Sequence, residues 1–154
     1  MIDHAYTASS RRVVAFAVHY GRSGPTLDGV RDMVDRFGFA AATWTAAKRQ
    51  AKEALKKRAQ VRGMMPYSEL VTNIRAIAFD AHDTRLFQLL GEISTEEDAA
   101  GRGMMSALVV HKTGDMQPGP GFFELAEELG RDTSDILVCW ITEVKKVHAQ
   151  WSDV

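Results

Sequence analysis

Only one cysteine, Cys139, stands among the 154 residues. That excludes an internal disulfide and any cysteine-rich zinc site. No apolar run approaches the roughly 20 residues needed to span a bilayer, so no transmembrane helix is expected. The start of the chain, residues 1–12 (MIDHAYTASSRR), lacks the basic-then-apolar layout of a secretion signal, and the expected location is the cytoplasm. Ser23 and Ser106 have no histidine at motif spacing, which leaves nucleophilic hydrolysis without support. Gly21 to Gly24 lacks the Gly-Lys-Ser/Thr ending of a phosphate-binding loop. There is no internal repeat and no low-complexity tract. Nor is there a strong net charge, the total being -1.

Hydrophobic residues make up 45% and charged residues 25%, the proportions of a soluble globular protein and not of a disordered or fibrous chain. The near-zero charge hides an asymmetry. Residues 1–62 hold 12 Lys+Arg against 5 Asp+Glu, a balance of +7, and residues 63–154 hold 7 against 15, a balance of -8. A basic half hints at nucleic acid or another acidic partner. The alternative is that the two halves attract each other, within one chain or across a dimer.

Periodicity predicts a mostly α (α+β) protein with one small β-hairpin or wing. Two subdomains are expected: a basic helical one over 1–63 and an acidic α+β one over 64–154, linked by Met64-Met65-Pro66. Residues 11–22 fit helix or strand. Leu27, Val30, Val34 and Phe37 fall on one helix face, and Gly38 sits where a helix-ending glycine belongs. A longer basic helix follows from Thr43 to Val61, striped by Ala47, Ala51, Ala54 and Leu55. A third is predicted from Tyr67 to Phe79. A fourth, capped by Asp83 or Thr84, carries Leu86, Leu89, Leu90 and Ile93. Ser94-Thr95-Glu96-Glu97 matches a capping box and predicts a separate acidic turn ending at Gly101. Residues 105–111 read as a strand, 122–129 as a short helix, and Ile136, Trp140, Val144, Val147 and Trp151 as the stripe of a last one.

The order helix, tight turn, basic helix is that of a helix-turn-helix unit. Pro25-Thr26-Leu27, Phe37-Gly38-Phe39-Ala40, Thr43 and the basic helix resemble the N-terminal DNA-binding module of SOS-repressor-type regulators, over about a quarter of the chain. The resemblance implies double-stranded DNA as partner. Thr43, Thr45, Lys48, Arg49 and Lys52 would face DNA, and Lys56 and Lys57 would meet phosphates. Residues 66–123 resemble a second family, the alkylguanine-DNA alkyltransferases and alkyltransferase-like proteins. Pro66-Tyr67-Ser68-Glu69-Leu70 opens a helix, a strand ends at Val109-Val110, and Pro-Gly-Pro-Gly follows a glycine turn. That likeness implies a winged helix, with Tyr67 on DNA and Arg85 in the place of a flipped base. The family's Pro-Cys-His-Arg is absent, Ser106-Ala107-Leu108-Val109 standing there, so alkyl transfer has no nucleophile.

The leading expectation is therefore a non-enzymatic DNA-binding protein, with no cofactor and no metal assigned. The first alternative is an interaction module of antitoxin or immunity type, whose acidic half binds a basic protein partner. The next is a metal-dependent nuclease using Asp80, Asp83, Glu92 and Lys112, with Asp80-Ala81-His82-Asp83 the densest titratable cluster. A homo-oligomer fits either of the first two.

Overall fold

A computed structural model describes residues 37–152 of the chain. The expectations for residues 11–22, and for a helix carrying Leu27, Val30 and Val34, lie outside the described residues. Among the described residues, five α-helices and a two-stranded sheet follow one another. Helix α1 spans Ala41–Gln60, strand β1 Met65–Pro66, and helix α2 Tyr67–Asn73. Helix α3 is Thr84–Ala99, followed by a 3-10 turn at Met105–Leu108 and strand β2 at Val109–Val110. Helices α4, Pro120–Glu128, and α5, Ile136–Ser152, close the order. The mostly helical α+β class is the observed one.

Helix α1 buries Trp44, Ala47, Ala51, Ala54, Leu55 and Ala59. Small side chains on this stripe let neighbouring backbones come close. Gly38 has φ +87, as a turn before the helix requires. The helix ends through Arg62, at φ +55, and Gly63. A Cβ at Gly63 would meet Arg58 Cδ at 2.6 Å, so any larger residue there would displace the Arg58 side chain. That arginine donates to the Met64 carbonyl at 2.6 Å and pairs with Glu69.

The sheet differs from the expected hairpin. β1 and β2 run parallel, with Met65 opposite Val109 and Pro66 opposite Val110. Residues 105–108 are a 3-10 turn, which shortens the predicted strand to two residues. Helix α2 stops at Asn73, well before Phe79. The Gln50 side-chain oxygen accepts the N–H groups of Arg75 and Ala76, both at 2.8 Å, and so replaces a continued helical ladder. Ser94 and Glu97 do not open a new turn either. They lie inside α3, which runs unbroken to Ala99. Asp83 does cap α3, accepting from the Arg85 N–H at 2.9 Å.

The main core joins Trp44, Leu55, Leu70, Leu86, Leu89, Ile93, Leu108 and Val147. A second cluster of Met104, Ala107, Phe122, Ala126 and Cys139 holds α4 against the first half of α5. Because the main core draws on both sides of Gly63, the division expected at Gly63/Met64 marks no seam in the described packing.

Candidate functional site

The inward stripe of α1 fixes where its cations go. At 100° per residue, Thr45, Arg49, Lys52 and Lys56 recur along one flank, with Lys48 beside them. Helix α3 lies against the Lys48 edge of that flank. Lys48 Nζ reaches Glu92 Oε1 at 3.0 Å and Glu96 Oε2 at 2.7 Å. Trp44 Nε1 also donates to Glu92, at 3.1 Å. Burial opposes the charge on Lys48, but the bonds to Glu96 and Glu92 outweigh it and hold the ammonium pKa above its ordinary value. Lys48 is thus engaged within the protein.

Lys52 and Arg102 share a different carboxylate. Glu97 is 1% exposed. Lys52 Nζ lies 2.7 Å from its Oε1, and the Arg102 guanidinium donates to both its oxygens at 2.6 and 2.9 Å. Hydrogen bonds from Arg102, helped by Lys52 against the cost of burial, keep this carboxyl below the usual carboxylate range. Both cations stay about one-third exposed, with side-chain exposures of 37% and 34%.

Next to this pair stands Trp151. Lys56 Nζ sits 5.1 Å from its ring centroid, and the Arg102 guanidinium 5.8 Å. The indole nitrogen is buried and has no hydrogen-bond partner among the described residues. A Cβ at Gly103 would meet Lys146 Cγ at 3.3 Å, which puts a further lysine stem at the edge of the group. Lys56 and Arg102 therefore flank one aromatic ring, and Lys52 joins Arg102 on the buried carboxylate of Glu97. Arg49, exposed, lies one turn from Lys52 on the same flank.

The other expected DNA contacts are placed differently. Thr45 is exposed on the flank. Thr43 and Lys57 lie away from it, Lys57 being about 100° around the helix from Lys56. Tyr67 is 8% exposed, and its hydroxyl accepts the Gly119 N–H at 3.1 Å. Burial pushes that hydroxyl's pKa up. Its position under Phe87 and beside His111 makes it a packing residue and not a surface contact. Arg85 is bound by Asp83 at 2.7 Å and lies 4.9 Å over the Phe39 ring. Ser106 is buried, with its hydroxyl 2.6 Å from that of Ser94.

The acidic residues considered for metal chemistry do not converge. Asp80 accepts the His82 N–H at 2.9 Å in a local turn. Asp83 caps α3, and Arg85 holds its carboxyl below the usual range. Glu92 is half a turn around α3 from Asp83 and faces α1 instead. No group of three or more His, Cys, Asp or Glu fit to hold a metal occurs among the described residues. A shallow cavity of about 190 Å³ opens at the start of α5, lined in part by Arg131, Asp135, Cys139 and Glu143. Its thiol is raised by burial and by Glu143, which makes it a poor nucleophile.

Sequence reasoning missed Arg102 and Trp151 as parts of the basic group. The only signal was Gly101-Arg102-Gly103, a cation between glycines that fold back after α3, at φ +80 and +89. No described helix is long and apolar enough to cross a membrane. No protein-family model, curated protein or solved structure matches the chain.

Proposed function

We propose that the protein binds duplex DNA through the exposed flank of α1, Thr45, Arg49, Lys52 and Lys56, extended by Arg102. The observation that carries this reading is the arrangement beside Trp151: Lys56 and Arg102 flank the ring, and Lys52 and Arg102 share the one buried carboxylate of Glu97. A local excess of positive charge, held in place by an aromatic ring, suits the phosphate backbone. The reading in which the acidic half receives a basic protein has less support. Glu92, Glu96, Glu97 and Asp98 are each engaged by a lysine or arginine of the same chain.

The test is fluorescence anisotropy of a labelled duplex at two salt concentrations. If Arg49 and Lys56, which have no carboxylate in the described ion pairs, each meet a phosphate, log K against log salt should fall with a slope of about -1.8, and any further steepness would mean that Lys52 or Arg102 is released from Glu97. Arg49→Glu/Lys56→Glu leaves the Glu97 pair intact and should abolish binding while circular dichroism stays unchanged. Absence of binding at low salt would overturn the reading.

A further inference from the structure

The first half of α5 turns four large aliphatic side chains outward. Ile136, Leu137, Val138 and Ile141 are 48%, 46%, 59% and 39% exposed. Singly, exposed aliphatics need no explanation, but Leu137, Val138 and Ile141 fall within about 100° of one another on one helix face, with Ile136 off it, and such a run marks a contact surface. Its charges are ordered. Exposed Asp132 and Asp135 stand before the helix, and exposed Lys145 follows Ile141 by about one turn on the same outer face. The buried charges beneath are already matched. Arg131 pairs with Asp98 at 2.6 Å and with Glu143 at 2.7 Å, and Glu143 also accepts the Met104 N–H at 3.0 Å. They add no net demand to the surface.

An acidic start, an apolar centre and a basic end form a surface that complements itself when one copy is turned head to tail. Such a two-fold contact brings the same patch together from both subunits. We propose that the chain forms a homodimer in which the outer faces of two α5 helices pack antiparallel. The two-fold axis passes between residues 139 and 140. Val138 then lies against the partner's Ile141, and Asp135 comes within reach of the partner's Lys145. Leu137 meets the partner's Thr142. A parallel arrangement would instead set Asp135 against its own copy and Lys145 against its own copy, which like-charge repulsion disfavours. The contact is a single helix pair, smaller than the roughly 1,200–2,000 Å² of a standard stable interface, so the dimer is a weak one in equilibrium with monomer. The dimer does not depend on DNA binding, and the DNA reading does not depend on the dimer.

Sedimentation velocity of the full chain from about 1 µM to about 500 µM measures the association. The expected result is a monomer–dimer equilibrium, weakened about a hundredfold by Val138→Asp, which buries a charge in the contact. Val138 is exposed, so the variant keeps its fold, as circular dichroism would verify. Register is tested by oxidising a mixture of two variants, Ser134→Cys and Lys145→Cys, each with Cys139→Ala. The antiparallel dimer gives the mixed disulfide between positions 134 and 145, and neither same-position product. A chain that stays monomeric leaves this face to another protein and overturns the proposal. A dimer that survives Val138→Asp overturns it too, as does a product joined only at matching positions.

Discussion

Helices α1 and α3 carry opposite charges into one seam, but they use them differently. Helix α3 turns Glu92, Glu96, Glu97 and Asp98 to cations of the same chain. Helix α1 gives up only part of its charge. Lys48 meets two carboxylates, whereas Lys52 shares one with Arg102, and Lys56 has a ring. The overall sequence charge of -1 is therefore divided unevenly in space. Inside the seam the acids are matched, and at its Trp151 end the bases are in excess. Net charge alone gives no guide to which partner such a protein takes. What matters is which charges the fold has already neutralised.

The largest effect should come from breaking the acidic side of this balance. Arg131 is 17% exposed and bridges Asp98 on α3 to Glu143 on α5, whose side chain is 4% exposed. Arg131→Ala leaves the Glu143 carboxylate with the Met104 N–H as its remaining partner. Removing one member of a buried ion pair costs about 3–5 kcal/mol, so urea unfolding should lose about 3 kcal/mol. Glu97→Gln comes next, at about 2 kcal/mol, because Lys52 and Arg102 are partly exposed and can turn to water. This variant also tests the pH dependence. The Glu97 carboxyl lies below its ordinary value in the folded protein, so its contribution is complete above the unfolded carboxylate pKa and is lost as pH falls through the folded one. Wild-type stability should drop as pH falls below the ordinary carboxylate range, and Glu97→Gln should flatten that drop. An unchanged pH profile would mean that the Glu97 clamp adds nothing. Asp83→Ala, which removes the cap of α3 and leaves the seam untouched, should cost about 1 kcal/mol in the same unfolding experiment.

These effects also mark where the sequence could be read and where it could not. The α1 stripe and the Asp83 cap are local: spacing of alanines and a carboxylate before a helical run are enough to predict them. The end of α2 is not local, since Ile74 and Ile77 keep helical spacing while Gln50, from another helix, takes the backbone N–H groups of Arg75 and Ala76. Ser94 and Glu97 look like a helix start because their partners, Ser106, Lys52 and Arg102, are outside the motif. The same holds for the parallel pairing of Met65 with Val109. For the candidate site, a basic helix facing an acidic half was legible. Which lysine meets which carboxylate was not, because neighbours on one helix flank are sorted by what the opposite helix presents.

The smallest effect separates those neighbours. Lys48 and Lys56 are two turns apart on α1, and the sequence alone offers both as DNA contacts. Lys48 lies between Glu92 and Glu96, and a phosphate approaching it would compete with two carboxylates already in place. Lys56 has no carboxylate in the described ion pairs and keeps its charge over Trp151. In the anisotropy experiment, Lys56→Ala should reduce the salt slope by about 0.9, the loss of one phosphate contact. Lys48→Ala should leave the slope unchanged and lower stability by at most about 1 kcal/mol, the usual range for a partly exposed pair. Equal losses of slope from both variants would mean that the carboxylates of α3 release Lys48 when DNA arrives, and that the matched seam opens on binding. A loss from Lys48→Ala alone would move the contact surface to the α3 side of α1 and remove the Trp151 cluster from it.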